Sequence, residues 1–214
     1  MNNKFLLLFF IVSLSVFSQS SAQNYAVALK ASTTGISVEG LRSFGEDFNA
    51  HIGFAAFTFN KSGGGGSGDD YKFDAKLKLL SFSALADWFP FDFDLRITGG
   101  AFINLNKGDV TLTPVKTYQV GGTAYTPEIL GSLSANVDVD RISPYLGVGF
   151  GNRLVTKGLQ FTCDIGALYQ NTPSVTLSAK GLLSPSAEQS QIVADNISWF
   201  KFYPVISIGL LYTF

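Results

Sequence analysis

Chemistry at this chain's side chains would have to come from few groups. One histidine (His51), one cysteine (Cys163) and one methionine are present in 214 residues. A Cys/His metal centre or a disulfide framework needs several such residues at set spacings, so neither a metal nor a cofactor is expected. His51 could serve as a general base only where its imidazole lies beside a substrate. Cys163, with no cation next to it in sequence, reads as a small hydrophobe rather than a reactive thiol. The run Gly63–Asp70 has a glycine-rich phosphate-loop look and two carboxylates that could hold a cation weakly. It lacks the Gly-Lys-Ser/Thr ending and the following helix, and reads as a surface loop. That leaves the charged residues Asp87, Arg96, Arg153 and Asp164, whose meaning depends on the elements that carry them.

Those elements belong to an apolar, nearly neutral chain. Hydrophobic residues make up 46% of it and charged ones 14%, with 15 Lys and Arg against 16 Asp and Glu. This is too apolar for disorder, and no basic excess exists to hold nucleic acid phosphates. The N-terminus has the layout of an export signal: Lys4 supplies a positive charge, Phe5 to Phe17 is apolar apart from Ser13 and Ser15, and Ser20-Ser21-Ala22 gives small residues at a cleavage site. We expect residues 1–22 to be a signal peptide cut after Ala22 and residues 23–214 to form one domain. Gln23 after the cut, rather than cysteine, disfavours a lipid anchor. The mature charge would be 14 − 16 = −2, since the signal removes Lys4 and no acid.

The remainder alternates with period two, the signature of strands with one face in an apolar medium. Phe202, Pro204, Ile206, Ile208, Leu210, Tyr212 and Phe214 share one face, opposite Tyr203, Val205, Ser207, Gly209, Leu211 and Thr213. Leu95, Ile97, Gly99, Ala101 and Ile103 lie opposite Arg96, Thr98, Gly100, Phe102 and Asn104. Leu159, Phe161, Cys163 and Ile165 lie opposite Gln160, Thr162, Asp164 and Gly166. Runs of roughly ten residues are what a tilted strand needs to cross a bilayer. The apolar phase flips between Leu29 and Ile36, which places a turn near residues 32–35. Further strands follow at Ala50–Phe59, Tyr71–Trp88, Leu95–Leu105, from Pro144, from Leu159 and over Phe202–Phe214.

These make eight strands, an even count that returns the C-terminus to the side of the N-terminus. Short turns at residues 45–47, 89–92 and 156–158 alternate with long connections, the asymmetry of bacterial barrels with periplasmic turns and extracellular loops. Closure removes the exposed edges that an open apolar sheet would leave in lipid. The fold class is therefore all-β: an eight-stranded antiparallel up-and-down transmembrane β-barrel. The segment Lys107–Asp140 could form hairpins above the membrane or add two strands within it, and Gly181–Ser198 reads as a loop. Asp87, Arg96, Arg153 and Asp164 fall on inner faces or beside strand ends, where they could line a pore; the favoured expectation is a lumen ion-pair network that Lys30 and Glu39 would join. The inner-face glycines Gly147, Gly149, Gly151 and Gly209 would leave space in the lumen. Trp88, Trp199, Tyr25, Tyr212 and Phe214 lie near strand ends, where aromatic residues mark bilayer interfaces.

The ending Phe202–Phe214, with Tyr212 and a terminal Phe214, resembles the assembly signal of Gram-negative outer membrane β-barrels. Leu85-Ala-Asp-Trp-Phe-Pro90 and Pro144–Asn152 are similar to segments of small OmpA/OmpX-like proteobacterial barrels. The resemblance implies an outer membrane location and contact with outer membrane lipid and lipopolysaccharide. It also implies recognition of Phe202, Ile206, Ile208, Leu210, Tyr212 and Phe214 by the barrel assembly machinery, and a monomer. Membrane-embedded enzymes of this architecture carry their histidine at the extracellular rim, whereas His51 follows a periplasmic turn, so no enzymatic activity is expected. A structural or surface-interaction role leads; the alternatives are a narrow channel or small apolar ligand binder and, behind them, a lipid-modifying enzyme.

Overall fold

The computed structural model describes residues 25–66 and 68–214; the expected signal peptide lies outside them. Eight strands cross the apolar layer: β1 (Tyr25–Ser32), β2 (Gly35–Ser43), β3 (Phe48–Gly64), β4 (Tyr71–Trp88), β5 (Leu95–Asn104), β10 (Ile142–Phe150), β11 (Gly158–Tyr169) and β13 (Phe202–Thr213). Each pairs antiparallel with its neighbours, β5 with β10 and β11 with β13 included, and β1 pairs with β13 from Ala26↔Thr213 to Ser32↔Ser207. The ring is thereby closed, so every wall strand has a partner on both sides within the membrane and no open edge meets lipid.

Alternation sets which side chains enter the lumen. Along β13 the even-numbered Ile206, Ile208, Leu210 and Tyr212 are exposed, while Val205, Ser207, Leu211 and Thr213 are buried. The exterior is an apolar belt, with Ile52 71% and Leu146 67% exposed. In water such a surface would drive aggregation; around a closed barrel it is the lipid-facing wall. No described helix is long enough to cross a membrane. The strands do so.

Tyr25, Phe214 and the short turns after β2, β4 and β10 lie at one rim, the one expected to face the periplasm. The opposite rim carries a second structure. β5 resumes as β6 (Lys107–Pro114), and β9 (Leu133–Asp138) and β12 (Ser174–Ala179) rise beside it. The upper halves of β3 and β4 pair with one another, β4 pairs on with β6, β6 with β9 and β9 with β12. Together they form a five-stranded extracellular crown standing on part of the barrel wall. Between β6 and β9 lie the short hairpin β7 (Tyr118–Val120) and β8 (Thr123–Tyr125) and one helical turn, α1 (Pro127–Leu130). The segment Lys107–Asp140 thus adds hairpins above the membrane and no strands within it.

Three expected boundaries differ. β3 continues through Lys61 to Gly64, because pairing from Phe57↔Leu79 to Gly64↔Lys72 satisfies its backbone despite the glycines; the loop shrinks to residues 65–70. The strand from Leu159, expected to run out past Pro173, breaks at residues 170–173, where Asn171 has φ 53°, and resumes as β12. Gly181–Ser198 is largely helical: a 3-10 stretch over Gly181–Gln189 leads into α2 (Ser190–Asn196), and a second 3-10 turn, Ser198–Lys201, follows.

Candidate functional site

The lumen centre holds a closed ring of six ionisable side chains from six strands. Lys30 Nζ on β1 lies 2.9 Å from Glu39 Oε2 on β2 and 3.1 Å from Asp164 Oδ2 on β11. Arg96 on β5 joins Asp164 through Nη2 and approaches Asp87 Oδ1 on β4 with Nε at 3.2 Å. His51 on β3 closes the circle, with Nδ1 3.1 Å from Glu39 and Nε2 3.3 Å from Asp87. Three acids thus face two fixed cations and an imidazole. Neutral donors fill remaining lone pairs: Thr98 Oγ1 donates to Asp87 at 2.6 Å and Ser207 Oγ to Asp164 at 2.8 Å. Arg96 Nη1 donates to the carbonyl of Gly151 at 2.8 Å. Arg96 and Asp87 are both 0% exposed, and charges so placed persist only with partners of this kind.

The inner-face glycines supply room for this ring rather than open space. A Cβ on Gly149 would lie 2.7 Å from Arg96 Cζ and collide with Asp164 Oδ1. On Gly209 it would lie 2.6 Å from Lys30 Cγ, and on Gly147 it would meet the Tyr145 hydroxyl. The expectation that Gly147, Gly149, Gly151 and Gly209 leave lumen space is therefore corrected: large neighbouring side chains occupy it, and the β11 backbone at Phe161 abuts Gly151.

Apolar layers close the lumen on both sides of the ring. Ala26, Ala28, Leu41, Leu154 and Leu211 form a floor at the periplasmic end. Leu85, Phe102, Tyr145, Leu168 and Val205 cover the ring toward the extracellular side, with the Phe102 and Tyr145 rings 5.5 Å apart. Beside Lys30, Glu39 and His51 lies a cavity of about 30 Å³, room for roughly two waters. Planar-bilayer recordings are accordingly expected to show no unitary conductance above background; discrete ohmic steps at neutral pH would contradict the filled lumen.

Three of the four residues assigned to a lumen network from sequence, Asp87, Arg96 and Asp164, come together, and so do Lys30 and Glu39. Arg153 does not. Its guanidinium lies 5.5 Å over the Phe89 ring and Nη1 donates to the Phe91 carbonyl at 3.3 Å, in the periplasmic turns. The cause is local: Gly151 (φ 87°) and Asn152 (φ 68°) end the alternation of β10 and turn the chain before Arg153. His51 was missed as a ring member, although its odd-numbered phase with Asn49 and Ala55 marks it as inward-facing. Phe202, Ile206, Ile208, Leu210, Tyr212 and Phe214 all face outward, with Tyr212 and Phe214 packed edge to face at 5.5 Å. Cys163 is a free, half-buried thiol on the same outer surface.

The crown is the second site. Its residues split cleanly by face because the barrel's inward phase continues upward through unbroken register. On the lumen-side face Phe59, Leu77, Gly108, Val137 and Val175 align across all five strands, and Ala75, Val110, Ala135 and Leu177 align above them. On the other face stand Asn60, Lys76, Asp109, Asn136 and Thr176, and Thr111 and Ser134 share a 3.0 Å hydrogen bond. Residues 181–196 pack on the β12 end of the apolar face, where Val175 is buried. Toward β3 and β4, Phe57, Phe59, Leu77, Val110 and Leu112 remain exposed.

No protein-family model and no curated protein matches the sequence. Among solved structures, the chain superposes on CarO2 of Acinetobacter baumannii with TM-score 0.62 and 18% identity, covering 89% of this chain and 98% of that one. CarO of the same organism gives TM-score 0.61 and 18% identity over 91% and 100% of the two chains. The likeness is one of fold: a closed eight-stranded antiparallel barrel with an apolar outer belt.

Proposed function

We propose that this protein is a sealed outer membrane barrel that carries a surface-interaction crown, with a structural and contact role in the cell envelope and no catalysis. One observation carries the reading: the crown presents an ordered sheet whose polar face is solvated and whose apolar face, at Phe57, Phe59, Leu77 and Leu112, is left exposed by the described residues. Sheets that stand alone in water bury such a face, so an uncovered one is retained for a partner. Against catalysis stands His51, buried at 3% exposure inside an ion-pair ring where no substrate reaches it. A triple variant, Phe59→Ser with Leu77→Ser and Leu112→Ser, is expected to lose surface-attachment or envelope-stress phenotypes that depend on the protein, while the barrel assembles as before. Unchanged phenotypes in that variant and in one lacking residues 107–140 would refute the contact role.

The partners that follow are outer membrane lipid and lipopolysaccharide around the belt and the barrel assembly machinery at the C-terminal strand, with the barrel acting as a monomer. Phe214→Ala is expected to lower the assembled fraction in cells several-fold yet leave spontaneous folding into detergent unchanged. Equal assembly in cells would remove Phe202–Phe214 as a signal.

A further inference from the structure

The barrel's outer wall carries an open apolar depression. On β2 to β5, in the periplasmic half, the outward positions Gly40, Ala50, Ala84, Ala86 and Gly99 are small; Ala50, Ala86 and Gly99 adjoin across strands through Ala50↔Ala86 and Ala86↔Gly99, and Ile52, 71% exposed, stands between Gly40 and Ala84 in the next row as the one bulky side chain among them. One outward row higher stand the bulky residues Val38, Phe54 and Phe82, whose two phenyl rings are 5.2 Å apart; one row lower stand Phe48 and Trp88. The result is an apolar groove of about 660 Å³, bounded at its β1 end by Tyr25, Phe44 and Phe214. Arg42 stands at that end, level with Tyr25 and Ala50, its guanidinium 5.6 Å from the Tyr25 ring and 5.0 Å from the Phe44 ring. Among the described residues it pairs with no carboxylate.

We propose that this groove, with Arg42 at its end, is a binding site for one anionic diacyl phospholipid of the inner leaflet. An acyl chain lies over the small residues, between the Phe54/Phe82 row and the Phe48/Trp88 row, and the phosphate meets Arg42. The occupant follows from position and charge. The groove opens onto the bilayer, so what enters it is hydrocarbon, and the periplasmic rim places the free guanidinium at headgroup depth. Rings that hold Arg42 over the groove end direct it to the headgroup rather than to the acids of the turn at residues 45–47. The inference is independent of the crown.

The test uses the full mature chain, delipidated in a mild detergent and titrated with phosphatidylglycerol, with phosphatidylcholine of the same acyl chains, and with inorganic phosphate. Native mass spectrometry reads the bound species. One phosphatidylglycerol is expected per barrel, with no adduct from inorganic phosphate. Gly40→Leu with Ala86→Leu fills the groove from the lipid side and is expected to abolish retention of both lipids. Arg42→Gln is expected to remove the headgroup preference, about fivefold for one surface cation. Because these positions face lipid, all variants should keep the heat-modifiable gel mobility of the assembled barrel. Equal retention of both lipids by the unaltered protein, retention unaffected by the groove-filling pair, or a protein dimer in place of the lipid adduct would each overturn the proposal.

Discussion

Arg96→Met is expected to destabilise the assembled barrel by about 3–5 kcal/mol, the usual result of removing one partner from a buried ion pair. Arg96 lies between Asp87 and Asp164, and the methionine would leave Asp87 with His51, Thr98 and Asn152 as its remaining donors. A buried carboxylate that loses its main cation keeps its desolvation penalty without the compensating attraction. The measurement is the temperature, or the urea concentration, at which the compact unboiled band disappears. Adding Asp87→Leu to Arg96→Met should restore part of the loss. Asp164 keeps Lys30 and Ser207, and His51 keeps Glu39. If the single variant matched the unaltered barrel, the ring would contribute no stability through this pair; if the double variant were weaker than the single, packing rather than charge would dominate.

Gly149→Ala is the second large effect, expected at about 1–3 kcal/mol as an overpacking cost, with further loss if the ring opens. The added methyl would lie 2.7 Å from Arg96 Cζ, and Arg96 cannot yield freely because Asp87, Asp164 and the Gly151 carbonyl hold it. Gly99→Ala makes the control. It sits on the outer face, where the nearest atom to an added Cβ is 4.0 Å away. A melting difference between these two glycine variants, with Gly149→Ala the lower, isolates the inward collision from backbone effects of losing a glycine.

Most of the barrel was legible because lipid on one side and packed side chains on the other impose the same period-two rule on every strand. Alternation over Leu95–Asn104 and Phe202–Thr213 gives the facing of each residue directly, and the even strand count follows from where turns interrupt it. Arg153 was misplaced because two consecutive positive-φ residues end that rule just before it. His51 was legible by phase, but its proximity to Asp87 depends on the stagger between β3 and β4, which sequence periodicity does not encode. The inner glycines were misread for a related reason: a missing side chain looks like space until the register shows whose side chain lies over it. The crown had a signal in the length of Tyr71–Trp88, whose 18 residues exceed what a tilted strand needs to cross a bilayer. Its apolar odd and charged even positions, Leu77 against Lys76 and Lys78, mark a sheet that continues above the membrane. The helical character of residues 181–196 had none, since its few apolar residues follow no helical stripe and its packing against β12 comes from tertiary contact.

Gel mobility of the mature protein from a washed outer membrane fraction, unboiled against boiled, tests the central claim most directly. A closed eight-stranded barrel resists detergent and predicts a faster, compact unboiled band that converts to the slower unfolded form on boiling. A single band of unchanged mobility, from protein recovered in the soluble periplasmic fraction, would contradict the membrane-facing assignment of Ile52, Leu146 and the rest of the outer belt.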